Sequence, residues 1–412
     1  NNIMKIKKLC LAAFASVCAG FCGASEYDLA AYVWPAYQPE PRWKELGIFE
    51  HGCGEWQNVY EATPKKPGHR QPKVPLWGYE NEADPIVVAR KIDAALAAGV
   101  NVFIYDWYWY RNRPFLENAL NEGFLKAPNS QRMKFFIMWA NHDVNYLWDN
   151  KKADKTANPP LFDAKISFDE FKKIADRWIS KYFSKPNYYK IGGKPVVSIY
   201  RVKNFIAGVG GEDKAKEALD YLKKRAAEAG LGGAHVMTTS EISKELADKI
   251  GIDSTTVYSW NDGTYDKIQK AEPNLTYREW MGMATALWDK KKSLGIPYFP
   301  NVTVGWDTNP RFPKEKFAPM VTGANPTDFE RALRQVKDWL DKNTPQGMPK
   351  LVTINSWNEW TEGTYLEPDT ENGYAAVPES IGKLYYADGS EQFNKVYQTY
   401  GCLLYTSPSP RD

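Results

Sequence analysis

Cysteine is scarce in this chain of 412 residues, which contains five. Cys10, Cys18 and Cys22 lie in a predicted export signal, and Cys402 lies in a C-terminal stretch that looks foreign. Only Cys53 then remains in the folded part, so an intramolecular disulfide is excluded and a large core must supply the stability. No arrangement of His and Asn accompanies Cys53, and we therefore expect it to be structural rather than a nucleophile.

The part of the chain that follows the predicted signal also carries almost no net charge. The formal charge is +3, and Lys5, Lys7 and Lys8 of the predicted signal carry three positive charges, which leaves a remainder of about zero. Without a positive field, we expect the protein to bind neither nucleic acid nor an anionic membrane surface.

Several motifs for metals, cofactors and nucleophiles are absent. The four histidines, at positions 51, 69, 142 and 235, show no metal-ligand spacing, which predicts that no metal is bound. No G-x-S-x-G nucleophile elbow occurs, and this disfavours a Ser-His-Asp hydrolase. No glycine-rich phosphate loop occurs either, so we expect no cofactor and favour a barrel over a doubly wound open sheet.

Both ends of the chain carry segments that we exclude from the fold. Lys5–Lys8 and the apolar run Leu9–Phe21 have the pattern of a secretory signal peptide within residues 1–24, with cleavage expected near Ala24. The run is too short to span a bilayer, so we predict export to the periplasm, the cell surface or the medium. A lipoprotein anchored through Cys18 or Cys22 is the alternative. Residues 402–412, CLLYTSPSPRD, resemble the translation of a sequencing-library adapter and are predicted to be a non-native tail.

Apolar strand-like runs alternate with amphipathic helix-like runs through the remaining chain. Eight runs are predicted to be strands: 27–37, 101–109, 134–140, 194–200, 234–240, 253–260, 298–306 and 352–357. Eight strands with intervening helices and no long linker predict a single α/β domain, a (β/α)8 TIM barrel over residues 25–401. A polar insertion rich in Pro and Gly, residues 38–83, follows the first strand, and an eighth helix is expected between Val377 and Tyr400.

Aromatic and polar side chains cluster where the predicted strands end, and barrel enzymes place their sites at the carboxyl ends of the strands. Half of the 16 Trp residues lie at these ends. Because indole faces pack against the C–H faces of sugar rings, the clustering predicts a carbohydrate substrate; the alternative is that these Trp residues only plug the barrel top. The predicted substrate-binding residues are Trp34, Asp106, Trp107, Trp109, Trp139, Asn141, His142, Tyr200, Trp260, Trp306, Asp307, Trp357, Asn358 and Trp360, together with His69 of the insertion.

Glu359 and Glu362 follow the last predicted strand and form the best candidate pair of catalytic carboxyl groups. Cleavage of a glycosidic bond needs one carboxylic acid to protonate the leaving oxygen and a second carboxylate to assist on the other side. Neighbouring Trp rings would raise one pKa by desolvation, and proximity would push the two values apart. Asp106 and Asp307 are alternatives for the second carboxylate, and a glutamate that only pairs with an arginine is the structural alternative.

The same stretch, NEWTEGTYLEP from Asn358 to Pro368, resembles the signature of glycoside hydrolase family 99 and of its WbsX-type relatives. The insertion resembles the N-terminal block of the WbsX branch, from Glu55-Trp56 to Trp77-Gly78-Tyr79. Val304-Gly305-Trp306-Asp307 with Arg311 resembles the seventh-strand region of family 99, which adds Arg311 to the candidate substrate-binding residues. The likeness runs from about Tyr27 to Pro368.

Family 99 implies a (β/α)8 barrel and retaining, endo-acting α-mannosidase chemistry without a metal. By this resemblance Glu359 would deprotonate the 2-hydroxyl of the sugar, which attacks its own anomeric carbon to give a 1,2-anhydro sugar. Glu362 would act as general acid and then as general base. Thr361 stands where family 99 usually has His, a departure that bears on mannose specificity.

The function predicted from the sequence is a secreted glycoside hydrolase that cleaves an α-linked, manno-configured polysaccharide or glycan. A WbsX-type glycosyltransferase of polysaccharide biosynthesis is the first alternative. The export signal argues against it, because nucleotide-sugar donors are cytoplasmic and the sequence shows no diphosphate cradle. A carbohydrate-binding barrel without catalysis is the second alternative, and the presence of both Glu359 and Glu362 argues against that.

Overall fold

The computed structural model describes residues 26–144, 148–151, 160–272 and 274–373. The predicted signal peptide within residues 1–24, the predicted eighth helix between Val377 and Tyr400 and the predicted tail, residues 402–412, lie outside the described residues. Within the described residues, every helix is too short or too polar to cross a membrane.

Eight parallel strands form the centre of the molecule. They are β1 (Tyr27–Val33), β2 (Val102–Tyr110), β3 (Lys134–Trp139), β4 (Lys194–Ile199), β5 (His235–Thr238), β6 (Ser254–Thr255), β7 (Asn301–Thr303) and β8 (Lys350–Asn355).

The strands close into a ring in the order of the sequence. Strands β1 to β6 pair successively, and β8 pairs with both β1 and β7. The remaining gap is closed beside β6, where the Thr255 amide donates to the Pro297 carbonyl at 2.8 Å and the Phe299 amide donates to the Thr255 carbonyl at 2.9 Å. The fold is therefore a (β/α)8 barrel, as predicted.

Eleven α-helices are present in the described residues, most of them outside the barrel wall. They are α1 (Pro41–Leu46), α2 (Trp56–Tyr60), α3 (Pro85–Ala97), α4 (Phe168–Trp178), α5 (Val202–Val209), α6 (Glu212–Glu228), α7 (Lys244–Ile250), α8 (Tyr265–Lys270), α9 (Tyr277–Thr285), α10 (Leu287–Lys292) and α11 (Pro326–Asn343). Their ends follow local chemistry. The Asp84 carboxylate accepts from the Ile86 amide at 2.8 Å at the start of α3, and the Asn325 side chain accepts from the Asp328 amide at 3.0 Å at the start of α11.

Side chains alternate between the inside of the barrel and the helix layer along each strand. On β2, Trp107 packs edge-on against Trp178 of α4, with 5.4 Å between ring centroids, whereas Asp106 faces inward and accepts from the Tyr258 hydroxyl. In the interior, the hydroxyl oxygens of Thr256 and Thr353 lie 3.0 Å apart. The upper interior is therefore polar although the strands are apolar overall.

The insertion after β1 lies over the carboxyl ends of the strands. It contains α1 and α2 and is held to the loop after β8, where the Leu76 amide donates to the Pro368 carbonyl at 2.8 Å. Gly54 allows its closest approach to the barrel, since a Cβ atom there would lie 2.0 Å from the Ala36 carbonyl oxygen. The next residue, Glu55, is thereby placed at the mouth of the barrel and is fully buried.

Candidate active site

Arg311 is the centre of the site. It ends a 3₁₀ turn, Asn309–Arg311, in the loop after β7, and it contacts carboxylates from two other parts of the chain. Its Nη2 lies 2.8 Å from Glu359, its Nη1 lies 2.5 Å from Glu362, and its Nε lies 2.8 Å from Glu55. Burial alone would lower the pKa of Arg311, but these carboxylates together raise it, so the guanidinium stays charged.

Glu359 and Glu362 each contact one terminal nitrogen of this guanidinium. Glu359 is held by Arg311 on one carboxylate oxygen and by the Tyr258 hydroxyl, 3.1 Å from the other. Glu362 is bonded through one oxygen only among the described residues, and its side chain is 15% exposed. Glu359 is thus a fixed, buried carboxyl group, and Glu362 is the one that presents an oxygen to a ligand.

The backbone after β8 explains why the two carboxyl groups meet. The Glu359 amide donates to the Ser356 hydroxyl at 2.8 Å, and residues 358–359 pair with residues 364–365 in a short antiparallel ribbon. A 3₁₀ turn, Trp360–Glu362, fills the space between, and Gly363 closes it with a φ of 64°. The turn brings a residue three positions later back beside Glu359.

Both carboxyl groups have shifted acidities. Burial raises the pKa of Glu359 well above its usual range, and the nearby Glu362 carboxyl raises it further, whereas Arg311 opposes the shift. Burial also raises the pKa of Glu362, against the opposing effect of Arg311. Proton transfer at neutral pH needs carboxyl groups whose pKa is raised toward the working pH, and this pair has that property.

Asp106 and Tyr258 complete the floor beside Glu359. The Tyr258 hydroxyl lies 3.1 Å from Asp106 Oδ2 and 3.1 Å from Glu359 Oε2. The other oxygen of Asp106 is buried and has no partner among the described residues. Burial raises the pKa of Asp106 well above its usual range. One phenolic proton is thus shared between two carboxyl groups of raised pKa.

Partly exposed rings form the rim of this site. Tyr200 lies between His142 and Tyr258, with ring centroids 5.7 and 5.6 Å apart. The His142 Nδ1 atom lies 2.9 Å from the Asp143 carbonyl oxygen, to which it must donate, so Nε2 is the acceptor. Burial lowers the pKa of His142 and keeps the ring neutral. The rim therefore offers aromatic faces and a free imidazole acceptor.

Trp34 belongs to the site but does not present its face to it. Its indole nitrogen donates to Glu55 at 2.5 Å, and the Arg311 guanidinium lies 5.7 Å from its ring. Trp148 and Tyr108 pack edge-on against the same ring. We infer that Trp34 orients Glu55 and Arg311 rather than stacking on a sugar.

Five predicted sugar-binding Trp residues lie away from the carboxylate pair, which corrects the prediction for them. All five are buried and face the helix layer: Trp107, Trp109, Trp139, Trp260 and Trp357. The indole nitrogen of Trp107 donates to Glu117 at 2.7 Å and that of Trp109 to Glu170 at 2.7 Å. The cause is the alternation along the strands, which turns these rings outward while their neighbours face inward.

Three further predicted residues support the site from behind. Asn141 brackets the Arg201 backbone, accepting from its amide at 2.7 Å and donating to its carbonyl at 2.8 Å. Asn358 does the same for Trp34, at 2.7 and 2.9 Å. Trp360 is fully buried and stacks on Tyr365, with 3.7 Å between ring centroids. These side chains position loops, since their polar groups are used in bonds to the backbone or, for Trp360, to Glu367.

His69 and Asp307 form a strut between the insertion and the loop after β7. The His69 Nδ1 accepts from the Lys65 amide at 3.1 Å, so Nε2 carries the proton and donates to Asp307 at 2.8 Å. Burial would raise the pKa of Asp307, but the bonds from His69 and Asn309 outweigh it and hold that pKa below its usual range. Asp307 is therefore ionised and connects the loop after β7 to the insertion; it is not the second reacting carboxylate.

Trp306 lies on the other side of this strut. It is half-buried and lines a cleft of about 380 Å³. This side cleft is bounded by the insertion, the loop after β7 and the loop after β8. It does not contain Glu359, Glu362 or Arg311.

A buried ion-pair network lies behind the Asn358–Pro368 stretch. The Lys91 ammonium, on α3, contacts Glu82 and lies 2.6 Å from Glu367. Burial raises the pKa of Glu82 to about 7. Asn358 donates to Glu82 at 3.0 Å, and the Trp360 indole donates to Glu367 at 2.8 Å. The network therefore fixes the residues on both sides of Glu359.

Sequence reasoning missed two residues of the site, Glu55 and Tyr258. Glu55 belongs to the block that resembles the WbsX branch, and a glutamate beside a tryptophan in an insertion over the barrel mouth is a signal for a site residue. Tyr258 lies two positions before Trp260 in a predicted strand. Since successive side chains of a strand point to opposite faces, Tyr258 and Trp260 share a face of the predicted strand, and assigning that face to the barrel interior would have pointed to Tyr258.

The chain is similar to a known family and to several known proteins. A family model described as glycosyltransferase WbsX matches residues 29–379. An uncharacterised protein, WxcX, from two strains of Xanthomonas campestris pv. campestris is 24% identical over 361 residues, which cover 84% of this chain and 48% of the relative. The chain therefore spans about half the length of the curated relatives it matches.

Solved structures with the same fold include carbohydrate enzymes. A glycoside hydrolase-like protein superposes with a TM-score of 0.53 at 17% identity, covering 89% of this chain and 95% of the other. The GH99 endo-α-mannosidase from Bacteroides thetaiotaomicron superposes with a TM-score of 0.50 at 13% identity, covering 90% and 98%. Its complex with bis-tris-propane gives 0.53 at 12% identity, with the same coverage.

Proposed function

Because this chain belongs to the glycosyltransferase WbsX family and folds like solved glycoside hydrolases, we propose that it hydrolyses glycosidic bonds in an α-linked polysaccharide. The observation that carries the proposal is that Glu359 and Glu362 contact the two terminal nitrogens of one guanidinium, that of Arg311, at 2.8 and 2.5 Å. Two carboxyl groups of raised pKa at one partly open site are what acid and base assistance at a glycosidic bond requires.

The two glutamates have different roles in this proposal. Glu362 donates a proton to the leaving oxygen through its unbonded, partly exposed carboxyl oxygen. Glu359 acts as base, with one oxygen oriented by Arg311 and the other by Tyr258. The family 99 resemblance supplies the finer step, in which Glu359 takes the proton of the 2-hydroxyl and the anomeric configuration is retained. Manno configuration rests on the same resemblance.

The proposal is tested by screening the purified protein against α-mannans and other bacterial and plant glycans, with reducing ends measured. Glu359→Gln and Glu362→Gln should each lower kcat by about 10²- to 10⁴-fold while polysaccharide binding persists. Glu330→Gln, on the surface of α11, is the matched control. Normal turnover in both variants would remove the site assignment, and NMR of the first-formed anomer tests retention.

The assignment of the acid can be tested separately. An aryl glycoside with a good leaving group needs little protonation, so Glu362→Gln should retain much more activity on it than on a polysaccharide. Glu359→Gln should lose activity on both substrates to a similar extent. If the two variants respond alike to the leaving group, the roles assigned to Glu359 and Glu362 are wrong.

Glycosyl transfer is the second candidate, and the description of the family model favours it. A transferase would require a nucleotide-sugar donor and would release a nucleoside diphosphate, whereas the hydrolase needs only glycan and water. Donor-dependent product formation would therefore replace the hydrolytic proposal. We also propose export, supported by the pattern Lys5–Phe21; fractionation of cells that express the chain tests it.

A further inference from the structure

The side cleft lies directly behind the backbone that carries Glu362. The Asp307 amide donates to the Glu362 carbonyl at 2.6 Å, and a Cβ atom on Gly363 would lie 2.9 Å from the Asp307 Cβ. A Cβ atom on Gly305 would lie 2.7 Å from the Gly363 carbonyl oxygen. The partition between the side cleft and Glu362 thus consists of two hydrogen-bonded backbone segments, residues 305–307 and 362–363, and glycine is needed for them to pack so closely. A ligand in the side cleft lies immediately beside the proposed acid.

The side cleft is lined by two positive side chains, Arg70 and Lys73, and by three carboxylates, Asp307, Asp369 and Glu371. Lys73 lies 3.0 Å and Arg70 lies 3.6 Å from the same carboxylate, Glu371. Asp369 accepts from the Tyr365 hydroxyl at 2.8 Å and from the Asn372 side chain at 3.1 Å. No excess of positive charge is left to hold a phosphate or a carboxylate. The lining therefore favours an uncharged ligand with many hydroxyl groups.

Trp306 supplies an aromatic surface in this cleft. Its backbone carbonyl is fixed by the Val321 amide at 2.9 Å, whereas no side chain in the described part of the chain accepts from its indole nitrogen. The ring is half-buried, in contrast to the fully covered Trp107, Trp139 and Trp357. A half-covered indole with a free donor, among polar side chains, is suited to packing against a sugar ring.

We propose that the side cleft is a second sugar-binding subsite, in which Trp306 packs against a unit of the same polysaccharide whose linkage lies at Glu359 and Glu362. The proposal rests on the proposed function for the identity of the polymer. The volume of the side cleft, about 380 Å³, is within the range of about 300 to 1,000 Å³ typical of small-ligand sites. A polymer that fills both spaces passes over the thin partition, so the substrate is a chain of several sugars and not a disaccharide.

The test is affinity electrophoresis of the full chain in gels that contain the polysaccharides of the screen. Glu359→Gln is the background, so that binding is measured without cleavage. Adding Trp306→Ala should weaken retardation about tenfold, which corresponds to about 1.4 kcal/mol. Trp306→Tyr should restore most of it. Tyr265→Ala removes an exposed aromatic ring elsewhere, 49% exposed, and should change nothing. Asn372→Ala, a milder change in the same cleft, serves if Trp306→Ala does not fold.

Each outcome decides the proposal. It is overturned if Trp306→Ala and Asn372→Ala are retarded like the background, or if no polysaccharide retards the background protein. Binding of a nucleoside diphosphate that depends on Trp306 also overturns it and favours the transferase. Retardation that depends on Trp306, in a protein whose unmodified form hydrolyses no glycan, establishes the subsite while the proposed hydrolase function fails.

Discussion

Tyr258 bonds Asp106 across the mouth of the barrel, with 3.1 Å between the phenolic oxygen and Oδ2. The same hydroxyl lies 3.1 Å from Glu359, and a phenol has one proton to give. If both carboxyl groups were ionised, one of these contacts would join two oxygens without a hydrogen. Glu359 contacts the Arg311 guanidinium at 2.8 Å, whereas the Asp106 carboxyl group has only the Tyr258 hydroxyl as a partner among the described residues, so the extra proton belongs on Asp106.

This assignment predicts how stability depends on pH. The folded-state pKa of Asp106 is raised, whereas an unfolded Asp titrates at about 3.9. A raised carboxyl pKa contributes stability below about pH 4 that is lost as the pH rises through the folded-state pKa. Asp106→Asn, which is neutral at every pH, should therefore flatten the fall of Tm with pH. Thermal unfolding from pH 4 to pH 9 measures this. The control is Asp213→Asn, whose side chain is 88% exposed; equal pH slopes in both variants and the unmodified protein would refute the assignment.

The same pair predicts a pattern of turnover. Asp106→Asn can still donate to the Tyr258 oxygen and should keep kcat within a few-fold of the unmodified protein. Tyr258→Phe removes the hydroxyl that orients Glu359 and should lower kcat by about 10- to 100-fold, a loss of about 1.4 to 2.8 kcal/mol. KM should change little in either variant. A large loss in Asp106→Asn would mean that Asp106 reacts as an ionised base.

Arg311 limits the shift in acidity of both glutamates, and this predicts the pH profile of a variant. Burial raises the pKa of Glu359 and of Glu362 and Arg311 opposes this effect, so a weaker cation should let both values rise further. Arg311→Lys keeps one charge but cannot bond three carboxylates at fixed angles. The acidic limb of kcat/KM against pH should move to higher pH, with kcat lowered about 10- to 100-fold. A lowered kcat with an unmoved acidic limb would show that Arg311 only holds the fold.

The architecture could be predicted because eight apolar runs separated by amphipathic ones leave few alternatives. The side of the wall that each side chain occupies could not be predicted in the same way. Strands of a parallel barrel are covered on both faces, so β2 reads as a continuous apolar run and its phase is hidden. The sequence therefore predicts Asp106, Trp107 and Trp109 alike for the site, whereas the structure turns Asp106 inward and the two Trp rings outward.

Contacts between residues far apart in the chain could not be predicted from the sequence either. Glu55 lies in the insertion and Arg311 in the loop after β7, yet the carboxylate and Nε lie 2.8 Å apart. Nothing local to either residue requires the contact; it depends on how the insertion crosses the barrel. The Glu359 and Glu362 pair could be predicted because both residues lie in a single turn, Trp360–Glu362 with its preceding residue.

The two classes of aromatic residue can be separated by experiment. Tyr200 is partly exposed at the rim, and Tyr200→Ala should raise KM about tenfold, about 1.4 kcal/mol, with little loss of stability. Trp107 is buried and bonded to Glu117, so Trp107→Phe should lower the free energy of unfolding by about 1 to 3 kcal/mol while KM stays unchanged. Urea unfolding and steady-state kinetics on both variants measure this. A rise of KM in Trp107→Phe would show that the Trp107 ring contacts the substrate after all.

Lys91 gives the sharpest test of whether the buried network stabilises the fold. Its ammonium group is buried between Glu82 and Glu367, and Lys91→Met would leave both carboxylates without a countercharge. The expected cost is about 3 to 5 kcal/mol of unfolding free energy. Lys224→Met is the matched control, because Lys224 is 76% exposed and lies 3.9 Å from Glu228; it should change stability by less than about 0.5 kcal/mol. Adding Glu82→Gln to Lys91→Met should recover part of the loss, since it removes one unpaired charge. If Lys91→Met is no less stable than Lys224→Met, the network does not stabilise the Asn358–Pro368 stretch, and the position of Glu359 must depend on Arg311 and Ser356 instead.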